Sequence, residues 1–176
     1  MADYDLQVFL EPPLTFLTQK HGHRPWAEGS RMGDCWRTNI ACLIGAKDPE
    51  EVPHFVEIQH STGDEDFEEM RLAREWLRAR DLDLAAVNIG EAWRLGVPYL
   101  ASVPSQTGPW RHSVIACMEE VIHDPSGVGG YTIEDADVVV EVLVQPYMPE
   151  PGEMVRRWRK INKKAQLYDV TLIGGL

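Results

Sequence analysis

The chain has 176 residues, 44% of them apolar and 26% charged, and its 28 acids against 17 bases give a formal net charge of -11. That length suits one well-buried core, and the acidity argues against a phosphate-tracking surface, so nucleic acid is not an expected partner. The start "MADYDLQVFLEPPLTFL" carries acids where a signal peptide carries bases, and no apolar run nears the ~20 residues of a membrane span; a cytoplasmic protein without membrane contact is expected.

Residues 1–33 read as an irregular opening segment, because "EPPL" and "HGHRPWAEGSRMG" mix proline, glycine and polar residues without a period. From Asp34 the spacing changes: Trp36, Ile40, Leu43 and Ile44 follow i, i+4, i+7, i+8. Asp34 is placed to cap this helix and Gly45 to end it. A second helix is written in "DEDFEEMRLAREWLRARD", with an apolar stripe at Phe67, Met70, Ala73, Trp76 and Leu77, acids early and arginines late.

Strand-like runs follow: "LDLAAVNI", "VPYLASVP", "HSVIACM", "EVIHD" and "DVVVEVLVQP". Helices first and strands later predict an α+β fold, in which N-terminal helices pack on a C-terminal antiparallel sheet. The expected organisation is a single domain over 1–176, mainly helical over 34–80 and mainly β over 83–145. A tail over 150–176 offers an amphipathic helix with the basic run "RRWRKINKK" and a strand at "YDVTLI".

The three cysteines, Cys35, Cys42 and Cys117, form no CxxC pair, which predicts neither a disulfide framework nor a cysteine zinc site. The "HGH" of His21 and His23 lacks a recognised zinc spacing, so no metal or other cofactor is expected. Cys42 and Cys117 lie in apolar runs that packing explains. Cys35 differs, because it falls in the first turn of a helix, where free N–H groups and the dipole favour a thiolate.

A reactive thiol needs a base, and the base needs a group to orient it. Of six histidines, His112 and His123 flank one predicted hairpin, "RHSVIACMEEVIHDP", which closes on Asp124. Strand side chains alternate faces, so His112 and Asp124 meet only if paired positions sum to an even number. A three-residue loop over 118–120 satisfies this, whereas a two-residue loop at Glu119 and Glu120 favours His123. Asp124, before Pro125, also fits a turn start.

The pieces "GDCWRTNIACLIG", "EEVPHFVE" and "HSVIACMEEVIHDP", with an upstream "TQ", resemble the small papain-like cysteine peptidases of bacteria and phages related to bacteriocin-processing peptidase domains. The resemblance spans roughly residues 16–125. It implies a papain-like fold whose central helix carries Cys35 as nucleophile, with His112 as base, Asp124 as its orienting acid and Gln19 as an oxyanion-hole donor. Gln19 lies 16 positions before Cys35, so the intervening loop must fold out and back.

The implied activity is a cysteine hydrolase acting on a peptide, isopeptide or related amide of a peptide or protein substrate, as a monomer or small homo-oligomer. An acyltransferase or amidase with the same triad, and a non-catalytic papain-fold binding protein, are the alternatives. Trp26, Trp36 and Trp110 are candidates to line a substrate groove, although aromatic residues also build cores.

Overall fold

Helix α1 (Cys35–Leu43) starts at Asp34 and stops at Ile44, beyond which Gly45 takes the left-handed region at φ +73°. Glycine is required there twice over, since a Cβ would also come within 2.5 Å of the Pro13 carbonyl oxygen. The computed structural model describes residues 6–8, 12–22, 32–62 and 68–146. His23, Trp26, Phe67 and the whole tail expected over 150–176 lie outside the described residues.

After α1, Asp48 caps a 3-10 turn at Pro49–Glu51 through a reciprocal capping box with Glu51. Helices α2 (Phe55–Thr62) and α3 (Glu68–Arg78) follow. The "VPHFVE" stretch, given no helix of its own in the sequence reading, thus opens α2.

The strands are β1 (Leu6–Val8), β2 (Asp83–Asn88), β3 (Pro98–Pro104), β4 (Arg111–Cys117), β5 (Glu120–His123) and β6 (Val139–Pro146). They form one antiparallel sheet in which β6 pairs with β1, β2 and β3, and β3, β4 and β5 follow side by side. One expectation needs correcting, and one element the sequence reading did not place is added. The opening segment is not wholly irregular, because Leu6–Val8 pairs with Val144, Gln145 and Pro146. The later half also holds helix α4 (Ile89–Leu95), begun by the Asn88 side chain accepting from the Gly90 N–H and ended by Gly96 at φ +63°.

Both faces of the sheet are covered, which accounts for the nearly continuous apolar runs in β3, β4 and β6. Leu84, Leu100, Ile115 and Leu143 pack under the first three helices with Ile40, Leu43, Phe55 and Leu77. Tyr99, Val103, Val114 and Val142 face the other way, against Ala92 of α4 and Ile133. Each such Leu or Ile, fully withdrawn from water, contributes roughly 1.5–3 kcal/mol before ordering costs.

Asp83 ties α3 to β2. Its carboxylate, 2% exposed, accepts from Arg74 at 2.9 Å and 3.0 Å and from Arg78 at 2.9 Å. Burial pushes its carboxyl upward, but the Arg74 and Arg78 guanidiniums and the Leu84 N–H outweigh that and hold it below its usual range. Asp83→Ala leaves two arginines facing an apolar seam and is expected to cost about 2–3 kcal/mol in urea unfolding at pH 7. That is less than the ~3–5 kcal/mol of a fully buried pair, because both arginines are part solvated. A loss within about 0.5 kcal/mol would show that the pair does not fasten α3.

Candidate active site

Asp34 sits at the N-cap of α1 but does not cap it; no helix N–H bonds to its side chain. The carboxylate turns instead to the Lys20 and His21 N–H groups, at 3.4 Å and 2.9 Å, and to Arg37 Nη2 at 2.7 Å. The sequence reading of Asp34 as a cap is corrected on this point: two backbone donors and a guanidinium outcompete the helix end for a fully buried carboxylate.

The Cys35 Sγ takes up N–H groups at this end of the helix, accepting from the Ser113 N–H at 3.5 Å, with the Trp36 N–H also favouring its thiolate. Burial nevertheless dominates and pushes the thiol up, and Asp34 adds to the push. A thiolate at Cys35 therefore depends on a cationic partner.

Residue 112 precedes the donor Ser113, so β4 brings its histidine to the same strand end. Ser113 itself faces α1, its Oγ accepting from Asn39 Nδ2 at 3.1 Å. The His112 side chain, 8% exposed, bonds through Nε2 to Asp124 Oδ1 at 2.7 Å. Alternation sends Ser113 toward the helix and His112 toward the Val114 side, yet Cys35 and His112 both line one cavity of about 650 Å³ at this sheet end.

The hairpin reaches the required parity by a route the sequence reading did not foresee. Cys117 pairs with Glu120, leaving a two-residue loop of Met118 and Glu119, and that register alone would turn Asp124 away from His112. Ala116 then pairs with Val121 while Ile115 pairs with His123, so Ile122 is an extra residue, a β-bulge. The bulge changes the paired sum from odd to even and puts Asp124 on the His112 face. Met118 holds φ +53° at the first loop position, as a primed hairpin turn needs, and its carbonyl accepts from Tyr99 Oη at 2.6 Å. His123, the alternative base, is spent elsewhere: its Nε2 donates to the Leu17 carbonyl at 2.8 Å.

Asp124 is both turn initiator and acid. Its oxygens accept from the Ser126 N–H at 2.9 Å, from Ser126 Oγ at 2.7 Å and 2.8 Å, and from the Gly129 N–H at 2.8 Å. Burial pushes the carboxyl up; the Gly129 N–H, His112 and Ser126 together bring it below its usual range. With Asp124 ionised, His112 Nε2 is the donor of this bond, so in a neutral ring Nδ1 carries the lone pair. Gly129 adopts φ +72° in carrying its N–H to the carboxylate, and the same loop lays Tyr131 over the imidazole, 4.8 Å between centroids.

Gln19 lines the cavity too, and its Oε1 is buried without a hydrogen-bond partner. The neighbours Lys20 and His21 are bound to Asp34, and the Gln19 N–H donates to the Pro125 carbonyl at 2.8 Å. The 16-residue separation is closed in this way. Trp36 and Trp110 line the cavity as the sequence suggested, while Cys42 is buried and accepts from the Leu17 N–H at 3.3 Å. Cys117 donates to the Gly96 carbonyl at 3.6 Å. Sequence reasoning missed Ser126, Tyr131, Glu69 and Glu141; only Ser126, in "DPSG", carried a signal, that of an Asx turn.

Among the described residues no group of three His, Cys, Asp or Glu side chains is arranged to hold a metal ion, and no helix is long and apolar enough to cross a membrane. Comparison with known proteins gives no match: no family model fits the chain, and no curated protein or solved structure is detectably similar to it.

Glu141 accepts from Trp36 Nε1 at 2.9 Å in the cavity wall. Burial pushes its carboxyl above the usual range, Glu69 adds to this, and the indole N–H opposes it. A folded-state value above the unfolded one costs nothing below the unfolded carboxylate range near ~4.3 and costs progressively more as pH rises through the folded value. Glu141→Gln, which keeps an acceptor for Trp36, should therefore raise the melting temperature at pH 7–8 and give no gain near pH 4. A gain independent of pH would show that charge is not the cause.

Proposed function

We propose that the chain is a cysteine hydrolase of the papain-like class, cleaving a peptide, isopeptide or related amide bond through Cys35, His112 and Asp124. One observation carries the reading: a thiol at a helix start shares a cavity with an imidazole whose Nε2 is held by a carboxylate kept below its usual pKa range. The resemblance of the GDC, VPHF and HDP pieces supports the same assignment.

In this mechanism His112 Nδ1 takes the thiol proton, which offsets the cost of a buried Cys35 thiolate by pairing it with an imidazolium. The sulfur attacks the substrate carbonyl carbon, and the C=O π electrons move to oxygen. The Cys35 N–H and the Gln19 amide N–H donate to that oxyanion. Collapse breaks the C–N bond, His112 gives its proton to the leaving amine, and a thioester remains. Water, deprotonated by His112, attacks the thioester; the carboxylic acid leaves and the proton returns to Cys35. Asp124 stays ionised throughout and holds the ring through Nε2.

Iodoacetamide at pH 7, read cysteine by cysteine in peptide masses, tests the pair without a known substrate. Cys35 should alkylate about 10²-fold faster than Cys42 and Cys117, with His112→Ala removing most of that advantage and Asp124→Ala a smaller part. Should Cys35 react no faster than Cys117, or keep its rate in the His112→Ala protein, the triad is wrong and a non-catalytic reading replaces it.

A further inference from the structure

The cavity that holds Cys35 is unevenly charged. Beside Trp36 its wall contains two carboxylates, Glu69 from α3 and Glu141 from β6, close enough for Glu69 to disfavour ionisation of Glu141. One Glu141 oxygen accepts from the Trp36 indole. The Glu69 Oε2 is shut off from solvent and has no hydrogen-bond partner among the described residues. The one arginine in the described lining, Arg111, is committed at 2.9 Å to Asp137 and at 2.6 Å to the Ser102 carbonyl.

A buried carboxylate oxygen without a donor is costly, and two acids in one water-poor wall raise that cost. The Trp36 indole asks for one acceptor, which Glu141 supplies, and the Glu69 Oε2 answers no donor among the described residues. The acids make sense against a ligand that brings both charge and N–H donors. Apolar surface at Trp36, Val56 and Met70 matches the methylene stem of such a group, which buries its chain while its head is paired. A hard divalent cation fits less well, because it seeks six or more oxygens and this wall supplies few.

We propose that Glu69 and Glu141 are the specificity-determining residues of the Cys35 cavity and select a substrate carrying a cationic side chain, an ammonium or guanidinium, whose nitrogen donates to both carboxylates. The proposal rests on the cysteine-hydrolase reading for the word substrate, but not for its test. Arg would satisfy the pair in a forked arrangement and Lys as a point charge. The bond attacked by Cys35 then lies within a side chain's reach of a basic residue.

The experiment compares two methanethiosulfonates of similar size, one ending in a primary ammonium and one in sulfonate, scoring mixed-disulfide formation at each cysteine by peptide mass. Cys117, next to Glu120 and outside the cavity lining, reports the field of the whole acidic protein. The cation-to-anion rate ratio at Cys35 should exceed that at Cys117 by about tenfold, the scale of one unit charge a few ångströms away in a partly solvated site. It should fall to the Cys117 value in the Glu69→Gln, Glu141→Gln protein. In wild type, millimolar n-butylammonium should slow Cys35 labelling while n-butanol does not, an arm that stands even if the double variant fails to fold.

Equal ratios at Cys35 and Cys117, a ratio unmoved by the double substitution, or equal protection by the amine and the alcohol would overturn the proposal. A slow Cys35 that still prefers the cation would sink the catalytic reading and keep this one. A fast Cys35 with no charge preference would do the reverse.

Discussion

Asp34 is fully buried, and taking a carboxylate out of water is tolerable only with a full set of donors. Its donors come from both sides of α1's start: Lys20 and His21 from the segment before it, and Arg37 one turn into the helix. Holding Lys20 and His21 fixes Gln19, and the Gln19 N–H in turn holds the Pro125 carbonyl, next to Asp124. One carboxylate thus links the helix that bears Cys35, the irregular segment that bears Gln19 and the hairpin end that holds His112. The same group works against the thiolate it positions, so architecture and reactivity oppose each other here and the imidazole must supply the difference.

Most of the sheet was legible because its strands obey local rules. The runs at Asp83–Asn88, Pro98–Pro104 and Val139–Pro146 are β-branched or apolar and bounded by turn residues. Helix α4 escaped notice although Asn88 and Gly96 mark its ends, since seven residues are too few to display a period. Leu6–Val8 could not have been read at all: three residues become a strand only because the end of β6 offers them a partner. At the site, residue types, hairpin spacing and the family resemblance singled out Cys35, His112 and Asp124; in the structure Cys35 and His112 line one cavity and Asp124 bonds His112. Glu69 and Glu141 were not singled out, because a glutamate in an amphipathic helix or an apolar strand looks like a solvated position until the third dimension turns it inward.

Of the buried polar atoms without partners among the described residues, Gln19 Oε1 and Glu69 Oε2 belong to the cavity lining, and Arg37 Nε, Thr38 Oγ1 and Asn39 Oδ1 lie on α1. Elsewhere the structure satisfies its polar groups closely, as the Asp83 and Asp124 networks show. The two lining atoms are unmet demand that a ligand in the cavity can answer.

Ile122 gives the hairpin one residue more than its partner strand can pair. Were the pairing to run on with Ile122 opposite Ile115, the side chain on the His112 face would be His123, and an imidazole would meet an imidazole, with no anion to keep the proton on Nε2. The electrical character of the site is thus a matter of register: whether Ile122 bulges out or pairs, more than the identity of any one residue in that short strand, decides whether His112 faces an acid or a second base.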